Sequence, residues 1–215
     1  MSSFQQPNEL CYLKAIDALK NGGIVAYPTE TFYGLAVDPD NDQAIESLYS
    51  LKKREKQKAV SLLIPDYTYL SSLVSSRPAP YNMLIESFWP GPLTLIFSAL
   101  DTVSNKLTDS ENTIAIRVSS NCIAQKLCSS WGNAITATSA NISGERAMIT
   151  AAEVVKQWGN KITYIIDGGT TPGGNGSTIL RCLKDQTQCE IVREGSITKE
   201  QIVNILPSHY TICNV

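Results

Sequence analysis

The regular exchange of two apolar periods constrains this chain more than any other feature. Leu10, Leu13, Ile16 and Leu19 recur at helical spacing and stop at Gly22-Gly23, and the next residues, Ile24 to Tyr27, form a compact apolar run of strand length. The exchange then repeats. A helix from Asn41, marked by Ala44, Ile45, Leu48 and Leu51, precedes the run Val60 to Ile64, and a helix around Tyr81 to Phe88 with the turn Trp89-Pro90-Gly91-Pro92 precedes Leu93 to Phe97. A helix from Cys122 to Ser130 leads into Ala134 to Thr138. Thr150 with Glu153 and Thr198 with Gln201 form capping boxes that start two more helices, and Tyr164 to Ile166, Thr178 to Leu180 and Glu190 to Arg193 read as strands. Helix faces and strands in such alternation must cover one another. The chain is therefore read as an α/β fold (mixed α+β), a layered sheet flanked by helices. With 215 residues there is room for one core, and residues 1–215 are read as a single domain without repeats or linkers.

A formal net charge of -2 argues against a protein that coats nucleic acid non-specifically, since that habit needs a net basic face and counterion release. Any anion site is local. In LKKREKQKAV, residues 51–60, Lys52, Lys53, Arg54, Lys56 and Lys58 surround Glu55. Physics alone leaves two readings open. Lysines at the end of the helix from Asn41 offset its macrodipole, each by roughly 0.3 to 1 kcal/mol, or the run holds an anionic ligand.

The six cysteines form no C-x-x-C pair, so a Cys/His metal site is not expected. The lone histidine, His209, has no recognisable partners, which argues against a Ser-His-Asp or Cys-His mechanism. Gly169 to Gly174 imitates the spacing of a phosphate-binding P-loop, but Asn175 stands where the lysine belongs; the stretch reads as a turn or as a cradle of another kind. MSSFQQPNEL has no basic or apolar leader, and no run approaches the roughly 20 apolar residues of a membrane span. The expectation is a cytoplasmic protein with reduced thiols and no membrane partner.

Three segments are more polar than plain strands or turns: YPTETFYGLAVD (27–38), TIAIRVSS (113–120) and ATSANISG (137–144). In the second, Ile114, Ile116 and Val118 suit a core face, so Arg117 is expected on the other face, presented rather than buried. Thr29, Glu30, Thr31, Ser139, Asn141 and Ser143 add short hydrogen-bonding groups. Together with Lys52, Arg54, Arg117 and Arg193 they suit a ligand carrying phosphates and a carboxylate.

PTETFYGL, Lys52-Lys53-Arg54 as K-x-R, FWPGPLT, IAIR, Ser139-Ala140-Asn141 as S-x-N, DGG, Ser177-Thr178 and REG occur in order between Gly22 and Gly195. In this succession the chain resembles the YrdC family of threonylcarbamoyl-AMP synthases. The resemblance implies a twisted mixed sheet flanked by helices, with a concave polar active-site face. It implies condensation of L-threonine, bicarbonate and ATP to threonylcarbamoyl-AMP and pyrophosphate, for modification of the tRNA adenosine beside the anticodon by a downstream transferase. Carried over by motif, Lys52, Arg54, Lys58, Thr113, Ser139, Asn141 and Arg193 would face ATP, with Lys52 and Arg54 as catalytic cations and Mg2+ bound through the ATP phosphates. Thr31, Arg117, the backbone of Ala137 and Ser177 would hold threonine, Arg117 clamping its carboxylate.

The chain departs from that pattern at Lys53, where relatives commonly carry glycine, at Glu55 and Ala59, where they carry proline, and at Leu63, where some carry a histidine near threonine. It also lacks the second domain of longer members and reads as the single-domain type. Two alternatives remain at this stage: an RNA-binding module of the same fold, with weak affinity for tRNA or double-stranded RNA, and a diverged nucleotide-binding paralogue.

Overall fold

Local signals in the sequence start and stop most of the helices. A computed structural model describes residues 7–55, 59–183 and 187–214. Helix α1 (Glu9–Lys20) begins at Asn8, whose side chain accepts from the Cys11 amide, and α2 (Asp42–Lys52) begins at Asn41, which accepts from the amides of Gln43 and Ala44. Helix α3 (Ala79–Phe88) follows Pro78, and α4 (Cys122–Trp131) runs from its cap Asn121 to Gly132. Helices α5 (Ala151–Trp158) and α6 (Lys199–Ile205) carry the expected capping boxes.

The strands are β1 (Val25–Pro28), β2 (Tyr33–Ala36), β3 (Ser61–Leu63), β4 (Leu93–Ser98), β5 (Thr113–Arg117), β6 (Ile135–Ser139), β7 (Tyr164–Ile165), β8 (Thr178–Cys182), β9 (Gln188–Arg193) and β10 (Thr211–Asn214). They join one mixed sheet in the order β10-β9-β8-β4-β5-β3-β6-β2-β1-β7. Two of them depart from the sequence reading. Tyr33–Ala36 is a strand of its own, antiparallel to β1, and Thr211–Asn214 adds a parallel edge to β9.

Register explains why one face of this sheet is core and the other holds a cavity. Leu180, Leu95, Ile116 and Leu62 are successive cross-strand partners on β8, β4, β5 and β3, and all lie in the larger core, each contributing about 1.5–3 kcal/mol by burial. Their alternate neighbours Thr94, Ile96, Ala115 and Ser61 point to the opposite face. Helices α1 and α4 cover one part of that face, packing Leu19 and Leu127 with Val25, Tyr27, Leu63 and Ile135 in a second core. The remainder of the face is the cavity. Among the described residues no helix is long and apolar enough to cross a membrane. The six cysteines are free thiols, and Cys182 and Cys189, register partners on β8 and β9, face each other at 3.5 Å.

Candidate active site

The uncovered part of the sheet floors a cavity of about 480 Å³, a volume in the range of small-molecule sites. Ser61, Thr94, Ile96, Ala115, Ala137 and Ile179 supply the floor from five strands. At the border with the second core the buried Tyr27 ring lies over Gly34, where a Cβ would come within 3.0 Å of the ring. A side chain at this position would require the ring to give way by a few tenths of an ångström.

Three guanidinium groups line the cavity. Arg54 follows the C-terminus of α2, donates from Nη2 to the Ala59 carbonyl at 2.8 Å, and is lowered from its ordinary pKa by burial, with Tyr49 opposing. Arg193 ends β9, donating from Nε and Nη2 to the Ser177 carbonyl at 3.1 and 2.7 Å and from Nη2 to Ser177 Oγ at 3.0 Å. Burial of part of its side chain, then Arg117 and Arg54, hold its pKa down. The fields of the three cations therefore meet in one space, which favours an anionic ligand.

Arg117 departs from the sequence reading. The alternation of β5 does turn it away from the core, and it lines the cavity, yet it is only 7% exposed rather than presented. Its Nη1 is bound by Glu30 Oε1, and Glu30 Oε2 accepts from Ser119 Oγ. Glu30 comes from the bend between β1 and β2, a segment far from β5 in the chain, and its pairing with Arg117 was not visible in the sequence.

Lys52 departs as well. Expected to face the ATP phosphates, it is 1% exposed and outside the cavity lining, and its ammonium donates to the carbonyls of Ser139 and Asn141, the latter at 2.8 Å, and to Asn141 Oδ1 at 3.3 Å. Burial, with Arg54 as the second cause, lowers it to about 7. Asn141 is tied down in turn. Its Oδ1 also accepts from Ser139 Oγ at 2.6 Å and its Nδ2 donates to the Glu145 carbonyl at 2.7 Å. The S-x-N turn is thus pinned from behind by Lys52 while Ser139 and Asn141 line the cavity.

The remaining expected residues divide cleanly. Thr31, Thr113, Ala137 and Ser177 all line the cavity. Thr113 is fixed by Asp109, to which it donates from its amide at 2.9 Å and from Oγ1 at 2.8 Å; Asp109 carried no signal in the sequence. Thr31 is tied to Thr29 through their hydroxyls at 3.2 Å, and its carbonyl accepts from the Gly173 amide at 2.6 Å. The glycine-rich stretch consequently borders the site, with Asn175 and Gly176 in the lining. Lys58 lies outside the described residues. Lys53 is exposed and caps α2 in the left-handed region at φ 49°, a conformation that the glycine implied there by the resemblance would adopt without strain. Leu63 is fully buried and packs in the second core rather than in the cavity lining.

A family profile for Sua5, YciO and YrdC, described as "Telomere recombination", matches residues 17–195. The threonylcarbamoyl-AMP synthase of Vibrio cholerae serotype O1 is 36% identical over 184 residues, 85% of this chain and 96% of that protein. The protein of the same name from Idiomarina loihiensis is 40% identical over 174 residues, 80% of this chain and 93% of that one. P. abyssi Sua5 complexed with L-threonine matches with a TM-score of 0.89 at 31% identity, covering 97% of this chain and 60% of that longer one. E. coli YciO matches with a TM-score of 0.80 at 25% identity, covering 91% of this chain and 97% of its own. With the profile spanning most of its length and relatives this similar, the chain belongs to the Sua5/YciO/YrdC family.

Proposed function

We propose that this chain is a threonylcarbamoyl-AMP synthase. The observation that carries the reading is the convergence of Arg54, Arg117 and Arg193 on a small polar cavity. The threonine amine takes up the carbon of bicarbonate with loss of water, and an oxygen of the resulting carbamate attacks the α-phosphorus of ATP. The bond to the β-phosphate breaks and pyrophosphate leaves with the electron pair. The nucleophile is made from substrates, so positioning and charge neutralisation suffice for the protein's part.

Arg54 and Arg193 offset the phosphate charge, and Thr113, Ser139 and Asn141 orient the nucleotide. Lys52 acts through the turn it holds. Arg117 takes the threonine carboxylate with the donors that Glu30 leaves, and Thr31, Ala137 and Ser177 complete that half. Of the carboxylates in the lining, Asp109 is engaged by Thr113 and Glu145 is exposed, while Glu30, engaged by Arg117, lies outside the lining; Mg2+ on this reading enters on the phosphates of ATP and adds to charge neutralisation there. The product passes to a threonylcarbamoyl transferase acting on tRNA in the cytoplasm, and the chain works as one catalytic domain. The RNA-binding alternative loses most of its basis in the run 51–60. Lys52 is buried and Arg54 turns into the cavity, leaving Lys53 as the exposed cation among those described.

The test is pyrophosphate release from Mg-ATP by the purified protein, with and without L-threonine and bicarbonate. Release that depends on both supports the reading, and Arg54→Ala is expected to weaken use of ATP. Nucleotide binding with no release would identify the diverged paralogue instead and overturn the assignment.

A further inference from the structure

Thr94 has no role in the reading above, yet its surroundings are specific. It lies on β4, 2% exposed, and its Oγ1 donates to Ser177 Oγ at 2.9 Å. Ser177 Oγ also accepts from Arg193 Nη2 at 3.0 Å. A guanidinium has no acceptor, so the direction of that second bond is fixed by chemistry. A serine hydroxyl has two lone pairs and one proton. Thr94 and Arg193 occupy both lone pairs, which leaves the Ser177 proton to be given away on the side where the residue lines the cavity.

We propose that Thr94 is a positioning residue that makes Ser177 a pure hydrogen-bond donor toward substrate. A ligand oxygen with lone pairs, such as a carboxylate, is accepted at this point, whereas a ligand N–H meets no acceptor on Ser177. Resting on the proposed function, the oxygen served is one of the threonine carboxylate, reached from the opposite side by Arg117. Ser177 is also the support of the Arg193 guanidinium, through its carbonyl as well as its hydroxyl. The residue thus joins the amino-acid half of the cavity to the phosphate half. Without the Thr94 hydroxyl, one lone pair of Ser177 is released and its proton is free to turn from the substrate.

The experiment compares Thr94→Val, which keeps the shape and deletes the hydroxyl, with Thr94→Ser, which keeps the hydroxyl. Michaelis parameters come from pyrophosphate release, L-threonine affinity from calorimetry, and melting temperature serves as a packing control. Thr94→Val should raise the threonine KM and Kd roughly tenfold. Its kcat and ATP KM should stay within about twofold, and Thr94→Ser should restore threonine affinity to within about twofold of the unmodified protein. Threonine affinity unchanged in Thr94→Val overturns the inference. So does a parallel loss of threonine and ATP use, with a lowered melting temperature, that Thr94→Ser fails to restore. If the unmodified protein binds threonine but releases no pyrophosphate, the functional reading fails alone and the Val-to-Ser affinity ratio still decides. If it binds no threonine, both fail.

Discussion

Arg117 and Arg193 line the same cavity, with β8 and β4 between their strands, but the protein holds them in opposite ways. Arg117 is buried against a carboxylate, Glu30, which Ser119 fixes from its other oxygen. Arg193 rests on the carbonyl and hydroxyl of Ser177, and among the described residues it has no ion pair. Arg117 thus has a compensating carboxylate at its back, Glu30 lying outside the cavity lining, whereas Arg193 has none among the described residues. On the proposed function, the compensated Arg117 would take the threonine carboxylate and the uncompensated Arg193 the phosphates of ATP. On that reading, a compensating carboxylate beside only one arginine would let a single cavity sort two anionic substrates without a wall between them.

The largest test of this contrast is Arg117→Ala. It strands Glu30 in a nearly dry position, and breaking such a pair is expected to lower stability by roughly 3 kcal/mol, read from urea denaturation. Adding Glu30→Gln should recover part of that stability while threonine use stays lost, as pyrophosphate release against threonine concentration would show. Equal stability of the single and double variants would break the comparison. Arg193→Ala removes a cation and leaves no carboxylate behind, so stability should change by about 1 kcal/mol or less. Its ATP KM should rise roughly tenfold, as expected for loss of a charge-assisted contact worth about 1.5 kcal/mol.

Lys52 sharpens the contrast as a third cation, enclosed by carbonyl oxygens. Its pKa falls to about 7 in the folded protein from an ordinary value of 10.5. Between these values the unfolded chain holds a proton that the folded chain lacks, so stability rises with pH across that window and is lost as pH falls toward 7. Lys52→Met should flatten this rise in melting temperature between pH 7 and about 10, and a slope as steep as in the unmodified protein would refute the shift. Lys53→Gly has the smallest expected effect. Relief of the left-handed conformation should raise stability by about 0.5–1 kcal/mol with both substrates' KM unchanged, so it serves as the control that touches neither arginine.

The features legible in the sequence were those whose causes are local. The starts at Asn41, Thr150 and Thr198 act within three residues of themselves, and the alternation of Thr113 to Val118 announced which face Arg117 would take. The partner that buries Arg117 was not legible, because Glu30 arrives through the pairing of β2 with β6 and of β6 with β3, long-range registers that no short window contains. Lys52 misled for a related reason. A lysine in the last turn of a helix reads as a solvated charge, and only the docking of the Ser139–Asn141 turn against it turns the ammonium inward. Strand β2 was hidden inside a polar segment, since its four residues serve the sheet while the bend before them serves the cavity.

The order of the strands has a consequence for the newly made chain. Arg54 is synthesised early, Arg117 midway and Arg193 late, and the sheet brings the three together only after β8 has docked on β4 and β9 on β8. A nascent chain that ends before β9 lacks Arg193, which has no ion pair among the described residues. On the proposed function, nucleotide capture is a late event in the life of the polypeptide, and it would report that the sheet has been completed from its centre to Arg193.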